Sequence, residues 1–155
     1  MGETALVVRL VAAGVLVLLL GAGCAGGRTT SSAPLPSTAS PAEVVQAYLQ
    51  ALNDHDSGLA KRFMSVEHAA LEESAVDSWF TNVVSISNIH ATATTCGRYC
   101  SGSLSGYQQT AGVIAEFDLQ QKEIGSFNNG HTYWGYTLGR RTDSDMWIII
   151  DEGLG

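Results

Sequence analysis

Basic side chains are scarce in this chain. Eight Lys and Arg stand against fifteen Asp and Glu, which gives a formal net charge of -7 and a sequence pI near 4.8. A surface of that sign repels phosphate backbones, so nucleic acid is not expected as a partner, and the acidity reads as the solubility of an exported surface. Recognisable catalytic motifs are missing as well. There is no G-x-S-x-G, no Walker loop and no H-E-x-x-H, which counts against hydrolase and transferase readings. His55, His68, His90 and His131 are scattered along the chain, and no serine has a legible partner base. No cofactor is called for either, because one core of about 110 to 115 residues can fold without metals or many disulfides.

Long apolar runs are limited to one. Leu10 to Leu20 reads LVAAGVLVLLL, with Arg9 before it and Gly21-Ala22-Gly23-Cys24 after it. That layout fits the apolar stretch of an export signal better than a spanning helix, which needs about 20 apolar residues in a row. Leu20-Gly21-Ala22-Gly23-Cys24 resembles the lipobox of bacterial lipoproteins. The resemblance implies a signal peptide over 1–23, lipid attachment at Cys24, and a mature chain held at the external face of the cell membrane by acyl chains. Each buried methylene contributes about 0.8 kcal/mol to such anchoring. An uncleaved single-span anchor and an ordinary signal peptide beside a free cysteine are the alternatives.

From Cys24 to Ala39 the chain is mostly Gly, Ser, Thr, Ala and Pro, with Leu35 its only large apolar side chain. It reads as a flexible tether over 24–39. Ser40-Pro41-Ala42-Glu43 then forms a capping box with proline at the first helical position, so a folded domain is expected over 40–155. Val44, Val45, Tyr48, Leu49 and Leu52 make one helical stripe ending in Asn53-Asp54-His55-Asp56. A second helix is expected from Ser57, with Leu59, Phe63 and Met64 inward. A third is expected from about Glu67, with Leu71, Ala75 and Trp79 on one face. The period then changes to two. Val84 and Ile86 share a face, Ile89, Ala91 and Ala93 continue at the opposite parity, and a bulge is expected near Asn88. Ala111, Val113, Ala115, Phe117 and Leu119 alternate with Thr110, Gly112, Ile114, Glu116, Asp118 and Gln120, Trp134, Tyr136 and Leu138 repeat the pattern, and Met146 to Ile150 is apolar on both faces, after a hairpin at Thr142 to Asp145. Helices first and strands afterwards predict an α+β domain, three helices packed on an antiparallel sheet of about four strands.

The stretch from Ser40-Pro41-Ala42-Glu43 to Asn53-Asp54-His55-Asp56, together with Met146-Trp147-Ile148-Ile149-Ile150-Asp151-Glu152-Gly153, resembles the nuclear transport factor 2-like superfamily, also called cystatin-like. Ketosteroid isomerases, polyketide cyclases and many actinobacterial lipoproteins belong to it. The resemblance implies a cone in which curved sheet and helices enclose a pocket, and a fold that also pairs through its sheet, so a homodimer is among the expected states. It does not imply one function, since the fold hosts enzymes, carriers and interaction modules.

Cys96-Gly97-Arg98-Tyr99-Cys100 lies in a Ser- and Gly-rich loop, and in an exported chain the two cysteines are expected to form a disulfide. The spacing is one residue longer than the C-x-x-C of thioredoxin-type redox pairs, and metal binding by the two with His90 or His131 lacks a second ligand pair. Asp118 and Glu116 alternate against the apolar face of their strand and Asp151 ends the last strand, so each is read first as a surface or structural carboxylate. Tyr133, Trp134, Tyr136 and Trp147 form an aromatic group in which one parity, Trp134 with Tyr136 or Tyr133 with Trp147, is a candidate ligand-binding wall. The leading expectation is a non-catalytic module binding a small apolar ligand or an envelope protein. An isomerase- or cyclase-like enzyme would need an inward carboxyl with a raised pKa beside Tyr133, Trp134 or Tyr136, and an assembly protein would need an exposed apolar sheet face.

Overall fold

The computed structural model describes residues 35–94, 106–125 and 128–153. The expectations for the signal segment, for Cys24, for the tether as far as residue 34 and for the Cys96–Cys100 bond lie outside the described residues. No helix among those described is long and apolar enough to cross a membrane.

Helix α1 spans Pro41–Asn53 and starts where the capping box places it. The Ser40 backbone N–H donates to Glu43 Oε2 at 2.7 Å, and the Glu43 N–H donates to Ser40 Oγ at 3.3 Å. Packed chain begins earlier than the tether expectation allows. Ala39 is buried, with its N–H bonded to the Pro36 carbonyl at 3.0 Å, and Leu35 packs against the core. One large apolar side chain, together with the buried Ala39, is enough to bring the segment onto the core.

The end of α1 explains the Asn53 to Asp56 signature. His55 adopts φ 57°, the Asp56 N–H donates to the Ala51 carbonyl at 2.9 Å, and the His55 N–H to the Leu52 carbonyl at 3.0 Å. This is a Schellman ending with a histidine in the place usually given to glycine. Asn53 Oδ1 then accepts from the Ile86 N–H at 2.9 Å, which ties the helix end to the sheet. Asp56 caps α2, Ser57–Lys61, by accepting from the Leu59 N–H at 2.8 Å.

Helix α3 is Val66–Ser74, and a separate short α4 is Trp79–Asn82. The expected stripe of Leu71, Ala75 and Trp79 on a single helix does not form. The helix stops at Ser74, Ala75 turns extended, Leu71 stays exposed, and Trp79 opens the next helix. With so few large apolar residues in α3, nothing held the stripe to one register.

Four antiparallel strands follow in the order β1-β2-β3-β4: Val83–Thr94, Gln109–Gln121, Gly130–Arg140 and Ile148–Gly153. The domain is α+β. In β1 the register shifts between Ser87 and His90, where Asn88 has φ 54°, so the bulge falls where parity changed in the sequence. A second shift between Val83 and Ser85 buries Val83 with Ile86 and leaves Val84 exposed, correcting the Val84–Ile86 pairing. Opposite β3, the outer side of β4 is covered by the chain after α2. The Ser65 N–H donates to the Ile149 carbonyl and the Ile149 N–H to the Phe63 carbonyl, each at 2.7 Å. The core joins Val44, Val45, Tyr48, Leu49 and Leu52 of α1 to Val113, Ala115, Phe117, Leu119, Leu138 and Ile149 of the sheet.

Candidate functional site

A cavity of about 240 Å3 is lined by His68, Leu71 and Glu72 of α3, Asp77, Trp79 at the head of α4, Trp134 of β3 and Glu152 of β4. His68, Leu71 and Glu72 sit at i, i+3 and i+4, so one face of a short helix delivers all three. The Trp79 N–H donates to Glu72 Oε1 at 2.5 Å, a bond that spans the break between α3 and α4 and holds the head of α4 against the cavity. Trp79 packs edge-on to Phe117, with centroids 5.8 Å apart, and at a 37° tilt to Trp134 at 5.8 Å.

Glu152 reaches the cavity through a register change. Leu138 pairs with Ile149, Thr137 with Asp151 and Tyr136 with Glu152, with the shift falling between Thr137 and Leu138. Plain alternation from the buried Ile149 would turn Asp151 inward. The irregularity turns Glu152 inward instead, with a side chain only 7 % exposed, and leaves Asp151 outside. Its Oε1 lies 3.6 Å from His68 Nε2.

Among the described residues, Glu152 Oε2 and the hydroxyls of Tyr48 and Tyr136 are buried without a hydrogen-bond partner. The two tyrosine rings meet edge-on at 5.9 Å, and each side chain is closed off from solvent. Buried polar atoms in folded proteins are nearly always paired, and of these three residues Glu152 is the one that lines the cavity, so its unpaired oxygen marks a place where something else belongs. Burial, followed by the negative charge of Glu152, pushes both tyrosine hydroxyls well above their ordinary pKa. Burial also raises Glu72, against the opposing pull of the Trp79 N–H. The Glu152 carboxylate raises His68 above its usual 6.5 despite burial, helped by the charges of Asp151 and Glu72.

Those shifts set a sign for stability. A histidine raised in the folded state contributes fully below about pH 6.5, and the contribution is lost as pH rises through its folded pKa. A raised Glu72 acts in the same direction, its cost growing as pH climbs from about 4.5. Stability should therefore fall from acid toward neutral and mildly alkaline pH over these two groups. In Glu152→Gln, the His68 ring protons should titrate at lower pH than in the wild type, followed by NMR. An unchanged titration would show that the 3.6 Å pair is not what holds the proton.

No family model matches the chain, and no curated protein does. What the cavity can do follows from its own side chains. Of the aromatic group read from the sequence, Trp134 lines the cavity and Tyr136 stands on the same strand face, paired with Glu152. Tyr133 and Trp147 are not brought there. Tyr133 is exposed on the opposite sheet face against the His131 ring, and Trp147 lies under the Arg140 guanidinium at 4.6 Å. Asp118 is also on that outer face, accepting from Asn88 Nδ2 at 2.6 Å beside His131, and these bonds hold its carboxyl below the usual range. Glu116, opposite Tyr133, shares the face.

Sequence reasoning did not find His68, Glu72, Glu152 or the Tyr48 hydroxyl. One signal was present, a histidine and a glutamate four apart in a helix with no apolar stripe. A second cavity, of about 350 Å3, lies near Met64, Tyr107, Arg140 and Ile148. There Arg140 is occupied by Gln109 at 2.7 Å and the Asp143 carbonyl at 3.1 Å, so its cation is already satisfied. No group of three or more His, Cys, Asp and Glu among the described residues is placed to hold a metal.

Proposed function

We propose that this chain is an exported lipoprotein, anchored through Cys24 at the external membrane face, whose nuclear-transport-factor-2-like cone binds a small molecule in the cavity between α3 and the sheet. The observation that carries the binding reading is Glu152. Its side chain is closed from solvent, one oxygen has no partner among the described residues, and it lines a cavity. At about 240 Å3 the space is smaller than the roughly 300–1,000 Å3 of drug-sized sites. It amounts to about eight water volumes, so the occupant is small. A wholly apolar occupant would leave the unpaired oxygen of Glu152 without compensation. The ligand therefore combines an apolar part against Trp79 and Trp134 with a polar end at Glu152.

The raised Glu72 favours a second reading, an isomerase- or cyclase-like enzyme with Glu72 as its acid or base. Binding is the better fit because Glu72 is already engaged by the Trp79 N–H at 2.5 Å, which gives it a structural task.

Intact and native mass spectrometry on protein extracted from the host's own membranes tests the proposal. The expected species is residues 24–155 plus acyl chains, carrying a non-covalent small-molecule adduct and gaining two daltons on reduction as Cys96–Cys100 opens. An unmodified full-length mass would sink the lipoprotein reading. Lipidated protein without an adduct, and without response to added small molecules, would sink the binding reading.

A further inference from the structure

We infer that the cavity selects a small organic cation, an ammonium compound whose N–H groups donate to Glu152 while its apolar body lies against Trp79 and Trp134. This rests on the cavity being a ligand site and specifies the ligand's chemistry. Glu72 and Glu152 face the cavity beside Asp77, which has a partner of its own, and His68 is the single basic side chain in the wall. Even with His68 protonated, negative charge is in excess there. The buried, unpaired oxygen of Glu152 is an acceptor, so it asks for a donor. A charged donor gives a hydrogen bond roughly twice as strong as a neutral one. Indole is also the aromatic ring that attracts cations best. An anion would meet the carboxylates of Glu72 and Glu152, and a neutral alcohol would leave the charge excess in place.

Benzylammonium, benzyl alcohol and benzoate share a ring and differ in the charge of the end group, so they separate these cases. The full chain, labelled with 15N-tryptophan in non-ionic detergent micelles, gives one indole signal for each of its three tryptophans. Trp147, which is not part of the cavity wall, serves as the internal reference. Benzylammonium is expected to shift Trp79 and Trp134 but not Trp147, and to bind about ten-fold or more tighter than benzyl alcohol, the factor carried by about 1.4 kcal/mol. Glu152→Gln is expected to erase that preference, with Asp118→Asn on the outer sheet face leaving it intact. If Glu152→Gln fails to fold, the comparison of the three probes on the wild type still decides. Equal binding of alcohol and ammonium overturns the cation inference and leaves the small-molecule site standing. Tighter binding of benzoate overturns it in favour of an anion. No response of Trp79 or Trp134 to any probe at about 10 mM, where even weak millimolar binding is seen, overturns both the inference and the site.

Discussion

Phe117→Ala is expected to cost about 3–5 kcal/mol of folding stability, the usual price of deleting a fully buried aromatic ring. Phe117 lies at the middle of β2 with no exposed surface, and its ring meets Trp79 edge-on at 5.8 Å. Both the transfer of the ring from water and the hole left behind contribute to the loss. Domains of this size are stable by only about 5–15 kcal/mol, so a large share would go. In urea, with a slope of about 1–3 kcal/mol per molar, the midpoint should fall by more than 1 M. A nearby position provides the control. Ile114 stands on the opposite face of β2 and is 45 % exposed, so Ile114→Ala should cost no more than about 1 kcal/mol. A larger loss from Ile114→Ala than from Phe117→Ala would mean that the faces of β2 are assigned the wrong way round. Because Phe117 supports Trp79, the first variant should also disturb the tryptophan signals of the cavity at urea concentrations where it is still folded.

The faces of β2 and β3 could be read from the sequence because alternation there is uninterrupted. Val113 to Leu119 and Trp134 to Leu138 turn inward as the pattern requires. The capping box at Ser40 and the change of parity near Asn88 were legible for a similar reason, since each depends on side chains close in sequence. The cavity was not legible. Its carboxylate depends on one register shift between β3 and β4, which puts Glu152 where simple counting puts Asp151. That shift is set by pairing across strands. His68 and Glu72 belong to a helix whose few apolar residues define no stripe, and their inward position is fixed by Trp79 bonding to Glu72 and by Glu152 facing His68. The Tyr48 position read correctly as core. What the pattern could not convey is that its hydroxyl would meet no partner among the described residues.

Tyr48→Phe and Tyr136→Phe are each expected to stabilise the unliganded protein by about 1–3 kcal/mol, the cost of leaving a buried hydroxyl unpaired. Each change removes only the oxygen, so the edge-on ring contact at 5.9 Å and the packing of both rings stay in place. The melting temperature should rise by roughly 4 °C or more per kcal/mol, given the unfolding entropy of a domain near 100 residues. The two rings touch and both hydroxyls feel Glu152, so the gains should not add fully in the double variant. A loss of more than about 1 kcal/mol in either single variant would show that the hydroxyl makes a structural bond. Neither tyrosine lines the cavity, so both phenylalanine variants should gain stability while keeping the wild-type response to a ligand placed there.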